Sequence, residues 1–487
     1  MTVPTDLPAP RDEAPDATAL PPRNVQARLA ALLESAAQMR FQKRWFFLLY
    51  CLLGLGYLIL TGPFRVPDER NHFMRSYEVS EFRLLPFISG GYPGDNLPSS
   101  LARLSLALDS HADNHIEPAQ ISRARSLSLR PEEREFVHFS TSVVYSPLAY
   151  VPSALSIAVG RAFGAGPLAL VYFARCGNLL VGAWLISLAI SHAGFARPAA
   201  LIVALFPMTV SQVASVSADA MTYALTFLWL ALVMEVVVGK EVSLSRKRIV
   251  LLVCLALALS QLRPPFPLLG LLIFLMPVKR FGGKVAILVC SAVVLASILP
   301  AAAWNAPAAR LFVNPIPEHN INPAAQMEWV VMHPAAFWHR AKRDFMRHGL
   351  EYWEQMVGRL GWLNIYLPSW ICVGFAAVFV ACLFTSPRAP PSPLWWQRIA
   401  LAMTVLGGIV AIELSVYLSF NPVRSPFVIG VQGRYFIPFA AVAAFAFSNS
   451  LLSRAPFDLL CKLGYLLFVL SAHICALFTV ARAAGKI

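Results

Sequence analysis

Long apolar runs alternate with short polar segments along most of the chain. Each run of roughly 17 to 25 residues is long enough to cross a bilayer core as a helix, and the runs lack the two-residue alternation of membrane β-strands. Backbone polar groups in lipid must be paired within the segment, so the runs predict transmembrane helices. We expect an all-α integral membrane protein with about eleven transmembrane helices (range 10–13). The expected spans are residues 45–61, 168–192, 199–215, 219–238, 249–261, 265–277, 285–303, 366–384, 399–419, 435–451 and 459–480.

Charge in the short loops predicts the orientation of these spans. Basic loops occur at 240–248, 279–284 and 388–398, and basic residues also precede Trp45. Lysine and arginine are enriched in cytoplasmic loops, so these segments should face the cytoplasm. Two long loops, 62–144 and 304–364, then lie on the outer side.

One apolar run should not cross. Phe64 is expected outside and Lys240 inside, which requires an odd number of crossings, yet four apolar runs lie between them. The run at 145–163 carries Pro147 and Pro152 in its first turns. We therefore expect it to lie in the outer interface, beside further interfacial helices of the long first outer loop.

The composition also predicts a membrane protein and argues against a nucleic-acid partner. Hydrophobic residues make up 57% of the chain and charged residues 14%, more apolar surface than a soluble core can bury. The formal charge of +14 comes from basic loops, so we expect no nucleic-acid partner. Residues 1–40 are rich in proline, alanine and aspartate and predict a disordered cytoplasmic tail, with 41–487 forming one membrane domain.

A dense polar cluster, RVPDERNHFMRSYE, follows the first span. Asp68 and Glu69 stand behind a proline, and His72 and Arg75 come three to seven residues later, within reach on a helix. Carboxylates here could deprotonate a hydroxyl or hold a divalent cation. The same spacing is also typical of a capped helix with local ion pairs, and both interpretations stay open.

Other polar residues are expected on the same outer face. Asp219 lies in SVSADAMT and either faces a cavity or caps the next helix. Arg263 follows in QLRPPF. The stretch GVQGRYFIP holds Gln432, Arg434 and Tyr435, which could meet a ligand or anchor a span at the interface. Together these residues predict an active or binding site at the outer interface.

A basic and aromatic helix is predicted at 333–355 in the second outer loop. Its cations, including Arg340 and Arg343, could grip a lipid phosphate or lie on anionic headgroups. No nucleotide-binding or hydrolase motif of the common types occurs in the chain. An enzyme on this face would therefore need a donor carried by the lipid itself.

Several of these stretches resemble a bacterial membrane protein family known as domain of unknown function 2142. The matching pieces, between about residues 45 and 450, are PDERNHFMRSYEVS, YSPLAYVPSAL, SVSADA, RPPF, GRLGWLNIYLP and GVQGRYFIP. That family in turn resembles the glycosyltransferase C superfamily, integral membrane enzymes that take sugars from polyprenyl-phosphate carriers on the outer face. The resemblance implies a multi-pass protein of the bacterial cytoplasmic (inner) membrane, and the basic residues before Trp45 predict a cytoplasmic N-terminus.

The resemblance also implies roles for the candidate residues. An acidic motif after the first span supplies the base or a metal ligand in the superfamily, which corresponds to Asp68 and Glu69 here. Asp219 corresponds to a second outer acid, so these three acids are candidate ligands for Mg²⁺ or Mn²⁺. Arg75, Arg263, Arg434 and the cations at 340–347 are candidates for binding the phosphate. His72, Gln432 and Tyr435 are further substrate-binding candidates.

The expected function is therefore transfer of a sugar from a polyprenyl-phosphate donor to an envelope glycan, lipid or protein. Two alternatives remain. One is a transporter, flippase or assembly partner for envelope polysaccharide, which should carry charges inside its spans, where Glu235 and Glu413 are the few acids. The other is a polymerase or ligase of lipid-linked glycans.

Overall fold

The computed structural model describes residues 43–108, 114–239, 243–262, 264–314, 319–387, 391–453 and 455–486. The tail predicted at 1–40 and the candidate Arg263 lie outside the described residues.

The described chain is mostly helical. In chain order the α-helices are α1 (Lys43–Leu60), α2 (Glu69–Ser80), α3 (Ser99–Leu108), α4 (Pro118–Ser126), α5 (Val151–Ala162), α6 (Pro167–His192), α7 (Arg197–Ala204), α8 (Pro207–Val213), α9 (Ala218–Val238), α10 (Arg246–Ser260), α11 (Gly283–Ala309), α12 (Pro323–Met332), α13 (Pro334–Val357), α14 (Ser369–Phe384), α15 (Trp395–Phe420), α16 (Ile437–Phe447) and α17 (Ala455–Ala483). Short 3-10 helices occupy Pro147–Tyr150, Gly194–Ala196, Phe266–Leu275, Val278–Phe281 and Gly433–Phe436.

Within the described residues, six helices are long and apolar enough to cross a membrane: α1, α6, α9, α11, α15 and the part of α17 from Leu463 to Ala483. The pair Gly194–Ala204 and Pro207–Val213 would be a seventh span, although it is bent by 78°. The bend falls where Phe206 is extended in front of Pro207, as proline disfavours a helical residue before it. The expected count of eleven is thus not confirmed.

The remaining expected spans correspond to shorter apolar helices. These are α10 (Arg246–Ser260, 15 residues), Phe266–Leu275, Ser369–Phe384 and Gly433–Phe447, each below the length of the six candidate spans. The apolar run at 145–163 forms a 3-10 turn and the 12-residue helix α5, which is not among the candidate spans of the described residues. Several helices are shorter than the apolar runs that predicted them, because proline residues interrupt those runs.

Each end of the helical bundle has its own set of polar contacts between helices. At one end, Glu235 of α9 pairs with Arg248 of α10 and lies 3.0 Å from Nδ1 of His192. At the other end, Arg175 of α6 donates a 2.9 Å hydrogen bond to the carbonyl of Leu58, near the end of α1. We call this second end the site end. Helix α9 joins the two ends and is buried along nearly its whole length.

The first predicted outer loop, 62–144, is folded and is not entirely helical. Strands β1 (Phe87–Ser89), β2 (Tyr92–Pro98) and β3 (Arg134–His138) form an antiparallel sheet with β2 in the centre. Gly90 and Gly91 join β1 to β2 with positive φ angles of 59° and 82°, as a two-residue hairpin requires. The described residues as a whole are consistent with the expected all-α class, to which this loop adds a small sheet. Outside it, the described strands are only the two-residue pair β4 (Arg359–Leu360) and β5 (Ile365–Tyr366).

Candidate functional site

Asp68 stands at the start of α2 in an unusual backbone conformation. Its φ of 60° and ψ of 7° lie in the left-handed region, which few residues other than glycine adopt, aspartate and asparagine being the usual exceptions. It occupies the N-cap position, yet its side chain makes no capping hydrogen bond. About 33% of the side chain is exposed. The capped-helix interpretation thus describes the position of Asp68 but not what its carboxylate does.

The carboxylate of Asp68 faces a buried guanidinium. Arg434 is 2% exposed and places Nη2 3.9 Å from Oδ2 of Asp68 and Nη1 3.0 Å from Oδ2 of Asp219. Its Nε donates to Gln432 at 2.7 Å, and Nη1 also donates to Gln212 at 3.3 Å. Two carboxylates share one guanidinium, which leaves the three side chains with a formal charge of −1.

The side chains around Arg434 come from four segments: the start of α2, α8, the first turn of α9 and the 3-10 helix Gly433–Phe436. Asp219 lies in the first turn of α9, where Ser217 accepts its backbone N–H at 3.1 Å and acts as the N-cap in its place. The carboxylate of Asp219 therefore pairs with Arg434 instead of capping the helix. Tyr223, one turn further along α9, donates its hydroxyl to the carbonyl of Arg434 at 2.9 Å. The ring of Tyr435 lies 5.2 Å from the Arg434 guanidinium.

Gly433 brings Arg434 close to α13. A β-carbon at Gly433 would lie 2.0 Å from the carbonyl oxygen of Tyr352, so no other residue fits there without displacing α13. The Gly433 N–H donates to Oε1 of Gln355 at 2.7 Å. The sequence suggested that this glycine lets the backbone approach a ligand, whereas here it lets one helix approach another.

Glu69, next to Asp68, is committed to a different contact. It is 0% exposed and accepts two hydrogen bonds from Arg175, at 2.8 Å from Nε and 2.6 Å from Nη2. The backbone N–H groups of Phe64 and Val216 donate to it at 2.9 and 3.1 Å. This arrangement joins α2 to α6 and to the turn before α9. Glu69 therefore positions its neighbour Asp68 and has no oxygen left for a substrate.

Arg175 completes this junction and was not among the candidates from the sequence. It also donates to the carbonyls of Leu58, Thr61 and Gly62 at 2.9, 2.7 and 2.8 Å, at the end of α1. The signal that could have identified it is a lone arginine inside the apolar run 168–192, because a charge in such a run requires a partner.

His72 lies one helical turn after Asp68 and contacts two tyrosines. Its Nδ1 is 2.8 Å from the hydroxyl of Tyr150, and its ring stacks on Tyr145 with centroids 5.7 Å apart. Burial raises the pKa of Tyr150 well above its usual value, and the negative charges of Asp68 and Asp219 add to the rise. Tyr150 is therefore a neutral hydrogen-bonding group beside the acids, contributed by the segment predicted not to cross.

Arg75 forms its ion pair with Glu78, an acid of the first loop outside the acid cluster. Its Nη2 donates to the carbonyl of Leu84 at 2.9 Å. Burial raises the pKa of Glu78 to about 7; the nearby Arg75 lowers it and the adjacent Asp95 raises it. The role of Arg75 in this structure is to neutralise a buried acid of the first loop.

This raised pKa predicts a pH dependence of stability. A carboxyl with a folded pKa of about 7 and an ordinary value of 4.5 stabilises the fold fully below pH 4.5 and loses that contribution as pH rises to about 7. The free energy of unfolding should fall by about 2 to 3 kcal/mol across this window from Glu78. Thermal unfolding of the detergent-purified protein should show a slope that Glu78→Gln flattens. Glu132→Gln, at an exposed site, should keep the slope; an equal slope in both variants would contradict this assignment.

Arg340 and Arg343 lie in a separate region. They line an open cavity of about 860 Å³ on α13, together with other basic residues and Pro426. Arg340 donates to the hydroxyl of Tyr417, and Arg343 donates to the carbonyl of Pro426. The structure thus brings Asp68, Asp219, Gln432, Arg434 and Tyr435 together, whereas these two cations of α13 have other partners.

The acids do not form a site that fits Mg²⁺ or Mn²⁺. Glu69 points to Arg175, and the Arg434 guanidinium occupies the position between Asp68 and Asp219 that a cation would need. Among the described residues, no group of three histidine, cysteine, aspartate or glutamate side chains could hold a metal ion. Arg434 supplies the positive charge that a metal would bring to this place.

Comparison with known proteins gives the family and no finer likeness. No curated protein and no solved structure matches the chain, so the likeness to the glycosyltransferase C superfamily remains a prediction. A family described as predicted membrane protein, domain of unknown function 2142, matches residues 51–443. The match covers most of the chain and includes Asp68, Glu69, Asp219 and Arg434. With its apolar helices and its acidic cluster at one end of the bundle, the chain belongs to this family of predicted membrane proteins.

Proposed function

We propose that the protein transfers a sugar from a polyprenyl-phosphate donor to an acceptor hydroxyl at the site end. One observation carries the proposal. Asp68 is a partly exposed carboxylate whose Oδ2 lies 3.9 Å from Nη2 of Arg434, too far for a hydrogen bond but close enough for both to contact one substrate. A base and a buried cation side by side are what attack by a hydroxyl and departure of a phosphate require.

The proposed reaction is a single displacement at the anomeric carbon, which inverts its configuration. The acceptor oxygen forms a bond to this carbon while the bond from the carbon to the phosphate oxygen breaks. The acceptor proton passes to Asp68, and the electron pair of the broken bond leaves on the polyprenyl phosphate. Arg434 stabilises the negative charge that develops on the leaving phosphate. His72 and Tyr150 line the same region and position the sugar.

The other parts of the proposal concern the membrane. The site end faces the outer side of the bacterial cytoplasmic membrane, and the N-terminus lies in the cytoplasm, as the basic loops predict. The bent pair, α10 and the three shorter apolar helices complete the eleven crossings. The polyprenyl chain lies along the apolar surface of the spans, and the acceptor is a glycan, lipid or protein of the cell envelope. A polymerase or ligase would use the same chemistry with a larger lipid-linked donor.

The test is donor cleavage by the purified full chain in proteoliposomes. Lipid-linked sugars extracted from cells that lack the protein serve as donors, and a cell-envelope fraction serves as the acceptor. Mass spectrometry should show a donor that loses its glycosyl unit and releases polyprenyl phosphate only when the protein is present. Donors that all stay intact in the presence of folded protein would contradict the proposal.

Glu413 favours the alternative of a transporter. This acid of α15 is 0% exposed and lies close to the buried Asp344 of α13, so two carboxyl groups meet away from water. Acids inside spans are frequent in proton-coupled transport. The same proteoliposomes distinguish the two functions, because a flippase moves the lipid-linked sugar to the other leaflet without breaking its bond to phosphate. A fluorescent donor that becomes accessible to an external quencher but remains intact would indicate transport.

A further inference from the structure

A second charged region lies on α13, away from the acid cluster. The cavity of about 860 Å³ described above is lined by His339, Arg340, Lys342, Arg343 and Arg347 and is closed on one side by Pro426. We call it the basic groove. It has four formal positive charges and no acid among its lining residues. Such a groove attracts an anion with several acceptor oxygens.

The acids of α13 do not neutralise the groove. Asp344 is buried, where it contacts His348 and Tyr352. Glu351 and Glu354 both pair with Arg359, at 2.8 and 2.6 Å. The positive charge of the groove is therefore not compensated from within its own helix.

Two of the arginines are held in place before any ligand binds. Arg340 donates to the Tyr417 hydroxyl at 2.8 Å and lies 4.2 Å above the ring of Trp329. Arg343 donates to the carbonyl of Pro426 and stacks on Phe427. Fixed guanidinium groups lose little conformational entropy when they bind, which distinguishes a built site from a mobile charged surface. Lys342 and Arg347 are exposed and make no ion pair within the described part of the chain.

The surroundings of the groove are apolar and exposed. Trp338, Met346 and Leu350 on α13 are 51%, 74% and 75% exposed, and Phe427 and Ile429 on the facing loop are 52% and 56% exposed. A helix that exposes cations beside large apolar side chains lies at the level of lipid headgroups. A ligand of the groove therefore reaches it from the membrane.

We propose that the basic groove binds the phosphate headgroup of an anionic phospholipid, as a lipid site separate from the proposed reaction centre. The two sites have different partners: Arg343 donates to the carbonyl of Pro426, whereas Arg434 pairs with Asp219. Binding here orders α13 against the membrane whether or not the protein transfers sugars.

The test measures lipid binding by the detergent-purified full chain. Native mass spectrometry titrations with phosphatidylglycerol, phosphatidylcholine and a polyprenyl phosphate compare the wild type with the double variant Lys342→Gln/Arg347→Gln. The affinity for phosphatidylglycerol should fall roughly tenfold or more, since each basic residue near the membrane surface contributes to binding of anionic lipid. The wild type should bind phosphatidylcholine weakly, and binding of phosphatidylglycerol should weaken as salt is added.

A matched control removes the same two charges at the opposite end of the bundle. Arg246→Gln/Lys247→Gln, at two exposed positions at the start of α10, should leave the phosphatidylglycerol affinity nearly unchanged. An equal fall in both double variants, or no fall in either, would overturn the proposal, because only general attraction to charge would remain. A fall confined to polyprenyl phosphate would also overturn it and would make the groove a donor site. These affinity measurements do not depend on transferase activity. The lipid site can therefore be confirmed even if the proposed function is wrong.

Discussion

Replacing Asp68 by asparagine should lower the rate of glycosyl transfer by about 10²- to 10⁴-fold and leave the protein folded. Asparagine has the shape of aspartate and tolerates the left-handed conformation that residue 68 adopts, with φ of 60°. The substitution thus removes the base without straining the start of α2. The measurement is release of polyprenyl phosphate in the proteoliposome assay, at saturating acceptor, with thermal unfolding recorded for the same samples.

The control for Asp68 is another acid of the same loop. Glu132→Gln removes one exposed negative charge outside the site and should transfer at the rate of the wild type. If Asp68→Asn also transfers at the wild-type rate, Asp68 is not the base. If Asp68→Asn were inactive because it is unstable, its unfolding temperature would fall together with its transfer rate. A lower transfer rate at an unchanged unfolding temperature would therefore indicate loss of the base.

Replacing Arg175 by alanine should destabilise the protein by about 3 to 5 kcal/mol, the cost of leaving one partner of a buried ion pair uncompensated. Glu69 would remain buried without its two hydrogen bonds from Arg175. The carbonyls of Leu58, Thr61 and Gly62 would lose their donor as well. The measurement is the midpoint of thermal unfolding of the detergent-purified protein, together with the yield of folded protein.

Two further variants show whether the effect comes from the buried charge. Arg130→Ala breaks the exposed pair with Glu133, whose side chains are 61% and 46% exposed, and should cost less than about 1 kcal/mol. The double variant Arg175→Ala/Glu69→Leu removes the orphaned charge and should recover part of the lost stability. A single Arg175 variant as stable as Arg130→Ala would contradict the structural role of the junction.

The gathering of the candidate residues at one end of the helices could be predicted from sequence. Apolar runs and basic loops place Asp68, Asp219 and Arg434 on one face, although they are far apart in the chain. The structure brings the three to one end of the bundle, with 3.0 Å and 3.9 Å between the charged atoms. Hydropathy and loop charge are local properties, so they carry this information without knowledge of helix packing.

The span count and the first loop could not be predicted in the same way. A hydropathy pattern measures how apolar a run is, but proline and packing decide whether it forms one straight helix. That is why the run at 199–215 became two helices bent by 78°. The sheet of 62–144 joins strands separated by about 40 residues, a pairing that depends on contacts distant in sequence.

The sequence by itself determined that this is a helical membrane protein and that an acidic pair follows its first span. Only the tertiary structure separated the two acids. Glu69 binds Arg175, 106 residues away, whereas Asp68 turns toward Arg434. Adjacent side chains on a helix start point in different directions, and their partners are set by which helices pack there. Packing thus assigned Glu69 to the fold and left Asp68 at the exposed edge of the cluster.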